Sequence, residues 1–89
     1  MLTVSFDFRQ LTDRHAFYQQ LAQKTHCPFE FGNNLDALWD WLTGGMALPA
    51  CFRLRHTAAI TDEQAFRPVF ALLEEAEQVL EGHLRLQWD

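Results

Sequence analysis

Three stretches of this 89-residue chain alternate apolar and polar residues with a period of two, and each is apolar on one side only. Leu2, Val4 and Phe6 alternate with Thr3 and Ser5. Ala50, Phe52 and Leu54 alternate with Cys51, Arg53 and Arg55, and Leu84, Leu86 and Trp88 alternate with Arg85 and Gln87. That period belongs to strands half buried in a sheet. The segments between them are too long for hairpins and carry helical signals, so the strands are joined by crossovers, which imply parallel pairing. A parallel sheet covered on both faces would show continuous apolar strands, and these are interrupted. The pattern predicts an α/β fold, a three-stranded and mainly parallel sheet with helices packed on one face. Arg53, Arg55 and Arg85 are expected on the other, solvated face.

Helix signals fill the gaps. Thr12 or Asp13 can cap a helix running to about Lys24, with Ala16, Phe17 and Leu21 at helical spacing. His26–Asn33 contains Pro28 and Gly32 and reads as loop. Asn33 or Asn34 then caps a second helix that ends at Gly44-Gly45. Pro49 precedes the second strand, expected over Ala50–His56. Thr61-x-x-Gln64 has the form of a capping box, and Pro68 suits the first turn of a last helix that runs to about Glu81 and stops at Gly82. Val69, Leu72, Leu73, Ala76 and Leu80 form its apolar stripe, and the last strand is expected over His83–Trp88. The length leaves room for one core, so residues 1–89 are expected to form a single domain.

Charge narrows the function. Seven basic against twelve acidic residues give a net charge of −5, which argues against a nucleic-acid backbone as partner. Glu30 to Gly45 holds Glu30, Asp36 and Asp40 with no Lys or Arg, and Pro68 to Leu84 holds Glu74, Glu75, Glu77 and Glu81 with none either. Such asymmetry can steer a basic partner, and it also suits helix faces kept acidic for solubility. Cys27 and Cys51 lack a paired spacing and read as free thiols. His15, His26, His56 and His83 form no ligand pair at helical spacing, so no metal is expected, and no phosphate-binding loop or catalytic motif implies a cofactor. No apolar run is long enough to cross a membrane and no signal segment stands at the N-terminus, so the expected location is the cytoplasm.

The second helix carries the chemistry. At 100° per residue, Leu35, Leu38 and Leu42 form its core stripe, while Asp36, Trp39, Asp40 and Thr43 share one edge beside it. Two like charges at i and i+4 cost a helix about 0.2–0.5 kcal/mol, so the pair is not there for helix stability. The edge suits contact with a cationic partner, and it also suits a solvated polar edge with Trp39 folded over the core.

The run Phe31-Gly32-Asn33-Asn34-Leu35-Asp36-Ala37-Leu38-Trp39-Asp40-Trp41-Leu42-Thr43-Gly44 resembles the signature of the barstar family of ribonuclease inhibitors. The resemblance is close over Pro28–Gly44 and extends loosely to the whole chain, through Pro49 and Leu73-Glu74-Glu75-Ala76. It implies a monomeric, non-enzymatic inhibitor whose second helix and preceding loop plug the active site of a basic ribonuclease or nuclease toxin. The matching contact positions are Gly32, Asn34, Leu35, Asp36, Trp39, Asp40 and Thr43, with Glu75 as a rim acid from the last helix. Asp40 would stand in for an RNA phosphate among the enzyme's cations, and Asp36 would pair with a second cationic group. Two positions depart from the family pattern: Glu30 and Gly45 stand where it places aromatic residues. Phe29 could supply one of those rings. The other readings of the same edge are an interaction module that docks on a different basic protein without inhibiting it, and an enzyme using Asp36, Asp40 or Glu75 as acid and base. The last lacks any sign of a pocket or metal in the sequence.

Overall fold

Strand β1 (Leu2–Asp7) pairs in parallel with β2 (Ala50–Arg55), and β2 pairs in parallel with β3 (Leu84–Trp88), giving the sheet order β1-β2-β3. These elements come from a computed structural model that describes residues 1–31 and 34–89. Helices α1 (Arg14–Lys24) and α2 (Leu35–Asp40) lie in the first crossover, and α3 (Glu63–Val79) lies in the second. The α/β fold with a three-stranded parallel sheet is as the alternation implies.

The pleat sorts the side chains. Val4, Phe6, Ala50, Phe52, Leu54 and Leu84 are buried against the helices. Thr3, Ser5, Arg53, Arg55, Arg85 and Gln87 are exposed on the opposite side. The three arginines therefore share a solvated face, as expected. Cys51 is on that face too but is only 6% exposed, its short side chain lying between Thr3 and Arg85 on the flanking strands while the long arginines of the same strand reach solvent. The core is aromatic: Phe6 meets Phe17 at 4.9 Å and Phe52 at 5.5 Å, and Phe8 meets Phe66 edge-on at 5.5 Å. Such tilted and edge-to-face pairs favour the ring quadrupoles.

Caps fix the helix starts. Asp13 accepts from the Ala16 N–H at 2.8 Å and opens α1. The start of α3 differs from the expected one. Asp62, not Thr61, is its cap, accepting from the Ala65 N–H at 3.2 Å. Pro68 accordingly lies inside the helix rather than opening it. A carboxylate one residue further along captures a free N–H of the first turn, and Pro68, the sixth residue of the helix, lies beyond that turn and removes one interior donor, the one that would reach the Gln64 carbonyl. The helix also ends earlier than expected, at Val79, and Glu81 and Gly82 take left-handed φ angles of 48° and 91° before β3 begins. A glycine at that second position removes the steric penalty of the turn. The Leu48–Pro49 peptide ahead of β2 is cis.

Candidate functional site

Helix α2 has a firm N-terminal anchor. Asn34 accepts from the backbone N–H of Asp36 at 2.9 Å and of Ala37 at 3.3 Å, satisfying two donors that a bare helix start leaves free. The helix does not stop at Asp40. Trp41–Gly45 continues it as a wider π-type turn, closed by the Met46 N–H on the Trp41 carbonyl at 2.7 Å. The Thr43 hydroxyl donates to the Trp39 carbonyl at 2.7 Å across the junction.

Burial separates the two sides of this helix. Leu38 and Leu42 are fully buried, whereas Leu35 is half-buried at the margin of the core. Trp39 is half-buried and packs on the core. Asp36 and Asp40 are both exposed, one turn apart, and among the described residues neither has an ion-pair partner. Glu75 is exposed on α3, the helix that packs against α2. Of the residues marked as contact positions, Asn34, Leu35, Asp36, Trp39, Asp40 and Thr43 lie on one continuous element, Glu75 lies on its neighbour, and Gly32 lies outside the described residues.

Two residues that hold this element escaped the sequence. Trp41 is only 9% exposed, and its indole N–H donates to the Thr25 hydroxyl at 2.9 Å. Thr25 is itself 3% exposed and donates to the Leu21 carbonyl at 2.6 Å. This relay ties the C-terminal end of the acidic helix to the C-terminal end of α1. A lone threonine just after a helix carries no periodic signal, so only the folded neighbour reveals its part.

The two departures from the family pattern also find a place. A Cβ on Gly45 would stand 2.5 Å from Cε3 of Trp41, so the indole occupies the space a side chain at 45 would need. Glu30 is exposed. Beside it Phe29 is 44% exposed and stacks edge-on against Phe31 at 5.6 Å and Trp41 at 5.9 Å. A ring thus stands in solvent next to the acidic helix, held by two buried aromatic neighbours. A groove of about 430 Å³ lies elsewhere, over Phe66 and Phe70 with Glu63, Arg67 and Glu74 around it, and Asp36 and Asp40 do not line it. Among the described residues no three His, Cys, Asp or Glu side chains gather as a metal site, and no helix is long and apolar enough to cross a membrane.

A protein of Bacillus subtilis (strain 168), YrdF, provisionally named a ribonuclease inhibitor, is 36% identical over 56 residues, which is 63% of this chain and 62% of that protein. The shared stretch is therefore less than two thirds of the relative's length. The model of the family described as barstar, the barnase inhibitor, matches residues 1–88. With its parallel sheet, its one helical layer and its Asn-capped acidic helix, the chain belongs to the barstar family.

Proposed function

We propose that this chain, acting as one domain over residues 1–89, inhibits a basic ribonuclease or nuclease toxin by placing its acidic helix in the enzyme's active site. The observation that carries this reading is the pair Asp36 and Asp40, exposed on one capped helix and without a cationic partner of their own among the described residues. A nuclease binds phosphate with Arg, Lys and His side chains, and carboxylates already fixed in place meet such groups with short charge-assisted hydrogen bonds. Asp40 is the central anion, Asp36 the second, and Glu75 on α3 a partly solvated rim charge. Asn34, Leu35, Trp39 and Thr43 shape the surface around them, together with Gly32. Phe29 supplies an aromatic contact in the region where Glu30 and Gly45 supply none. Family membership and the name of the Bacillus subtilis relative support the same reading.

The test is an inhibition titration. Purified protein is added to barnase and to a set of small basic secreted ribonucleases, and RNA hydrolysis is followed. Stoichiometric inhibition is expected for at least one enzyme. Asp40→Ala should weaken it by at least about 2 kcal/mol, a loss of roughly 30-fold or more, since the enzyme's cations are then left buried without a partner. Its thermal unfolding should match wild type, because an exposed helix-edge acid contributes little to folding. If no ribonuclease is inhibited while the protein still captures a basic protein through Asp40, the chain is a docking module instead. If Asp40→Ala inhibits as wild type does, the helix is not the plug.

A further inference from the structure

The parallel sheet ends in two outer strands, and an outer strand presents unpaired backbone groups that can template a further strand. At the two ends of β3 the flanking His83 carbonyl accepts from the Ala50 N–H at 2.8 Å, and the flanking Asp89 N–H donates to the Leu54 carbonyl at 3.0 Å. The odd-numbered residues therefore bond inward to β2. The N–H and C=O groups of Leu84, Leu86 and Trp88 point outward, away from the sheet. The middle one of these is occupied. Glu77, half-buried on α3, reaches over the edge and accepts the Leu86 N–H at 2.8 Å. On the opposite edge the Lys24 ammonium donates to the Ser5 carbonyl at 2.6 Å. Each edge thus carries one charged side chain sent down from the helical layer.

We infer that Glu77 guards β3 against a second copy of this chain. Freed of it, two copies join as a two-fold dimer through antiparallel β3 strands centred on Gln87. The occupant follows from the strand's own sequence. Two-fold pairing must bring outward-pointing residues opposite each other, which permits a centre at Arg85, Leu86 or Gln87. A centre at Arg85 would set two arginines against each other, and a centre at Leu86 would set Arg85 against an uncharged Gln87. The centre at Gln87 sets Leu86 opposite the partner's Trp88 and Arg85 opposite the partner's Asp89. These are an aliphatic–aromatic pair on the helical side and an opposite-charge pair on the open side, the combinations that favour cross-strand pairing. Trp88 is 43% exposed and braced edge-on by Phe70 at 5.0 Å, so its ring is already positioned. Asp89 is shared with Arg55 only at 4.0 Å and in solvent, so it can face a second arginine. With Glu77 in place, its carboxylate takes the Leu86 donor and sets an anion against the partner's Trp88 carbonyl, which excludes the pairing.

A strand edge of this length, about 17 Å, buries well under the roughly 800 Å² per partner of a stable interface, so the dimer is weak. Analytical ultracentrifugation should find wild type monomeric up to about 500 µM and Glu77→Ala partly dimeric in the upper part of that range. Glu77→Ser, too short to reach the edge, is the second variant if the alanine form fails to fold. Glu77→Gln keeps an accepting oxygen and should stay monomeric. Register is read by adding one cysteine. In a Glu77→Ala background Gln87→Cys faces its own copy across a non-hydrogen-bonded pair. It should oxidise to a covalent dimer, with mass spectrometry placing the disulfide at position 87 of both copies, whereas Arg85→Cys should not. Monomeric behaviour of both Glu77→Ala and Glu77→Ser, equal dimerisation of wild type, or crosslinking through position 85 would each overturn the inference.

Discussion

At the residue scale, the acidic helix depends on a buried hydroxyl that no pattern announces. Thr25 stands between the Trp41 indole and the Leu21 carbonyl. Thr25→Val keeps the shape but leaves the indole N–H buried without an acceptor, and should cost about 1–3 kcal/mol, read as a lower urea midpoint with an unchanged slope. Thr25→Ser should recover most of it. Gly45→Ala should also destabilise, by about 1–3 kcal/mol, because its Cβ meets a ring that the same hydrogen bond holds in place. Replacing Trp41 with Leu in the Gly45→Ala background should relieve that clash. At the far end of β1 the Arg9 guanidinium bonds the Asp7 carboxylate at 2.8 Å and holds its pKa down to about 2, from an ordinary 3.8. A depressed carboxyl favours the folded state above its unfolded pKa, and that contribution disappears as pH falls through the window from 3.8 to about 2. An NMR titration of Asp7 should show the low midpoint in wild type and a return toward the ordinary value in Arg9→Ala. The sequence placed Leu38 and Leu42 in the core because their spacing is periodic. It could not place Trp41, whose burial depends on a partner from another helix.

At the element scale, the helix that bears Asp36 and Asp40 is only as stable as its ends. Asn34 caps two backbone donors, so Asn34→Ala should cost about 1 kcal/mol in thermal or urea unfolding and should weaken any partner that reads the two acids in fixed positions. The cap was legible, since Asn just before an apolar periodic run is a start signal. The other end was legible only in part. Gly44-Gly45 marks a stop, but the last turn widens into a π-type turn with the Trp41 ring set against Gly45, which the glycines alone do not signal. The start of α3 was misplaced for a related reason. Thr61 with Gln64 and Asp62 with the Ala65 N–H offer competing caps one residue apart, and a preference for Pro at the first helical position favoured a later start. The three strands were read almost to the residue, because a period of two leaves a single register that turns the apolar side of each strand toward the helices.

At the scale of the whole molecule, the fold separates charge. The open sheet face carries Arg53, Arg55 and Arg85, and the helices carry Asp36, Asp40, Glu74 and Glu75, all exposed. Under the proposed function, a basic ribonuclease approaching this field would be steered toward the acids. Raising salt from about 50 to 500 mM should therefore slow association several-fold in stopped-flow measurements and change dissociation little. The two electrostatic sides were implied by the strand alternation together with the acidic windows, whereas the bonds that close the sheet edges, from Lys24 and Glu77, join residues too far apart for any sequence pattern to relate. The strand order has a consequence for how the molecule is made. Leu2 pairs with Ala50 and Ala50 with Leu84, so every rung of the sheet joins distant parts of the chain and no local hairpin exists to nucleate it. Folding of such a topology is slow, on the order of milliseconds or longer. The acidic helix sits inside the first of these loops. During synthesis it can be locked in place only after β2 has left the ribosome and found β1. Until then the newborn polypeptide has its carboxylates but no folded scaffold to hold them in place.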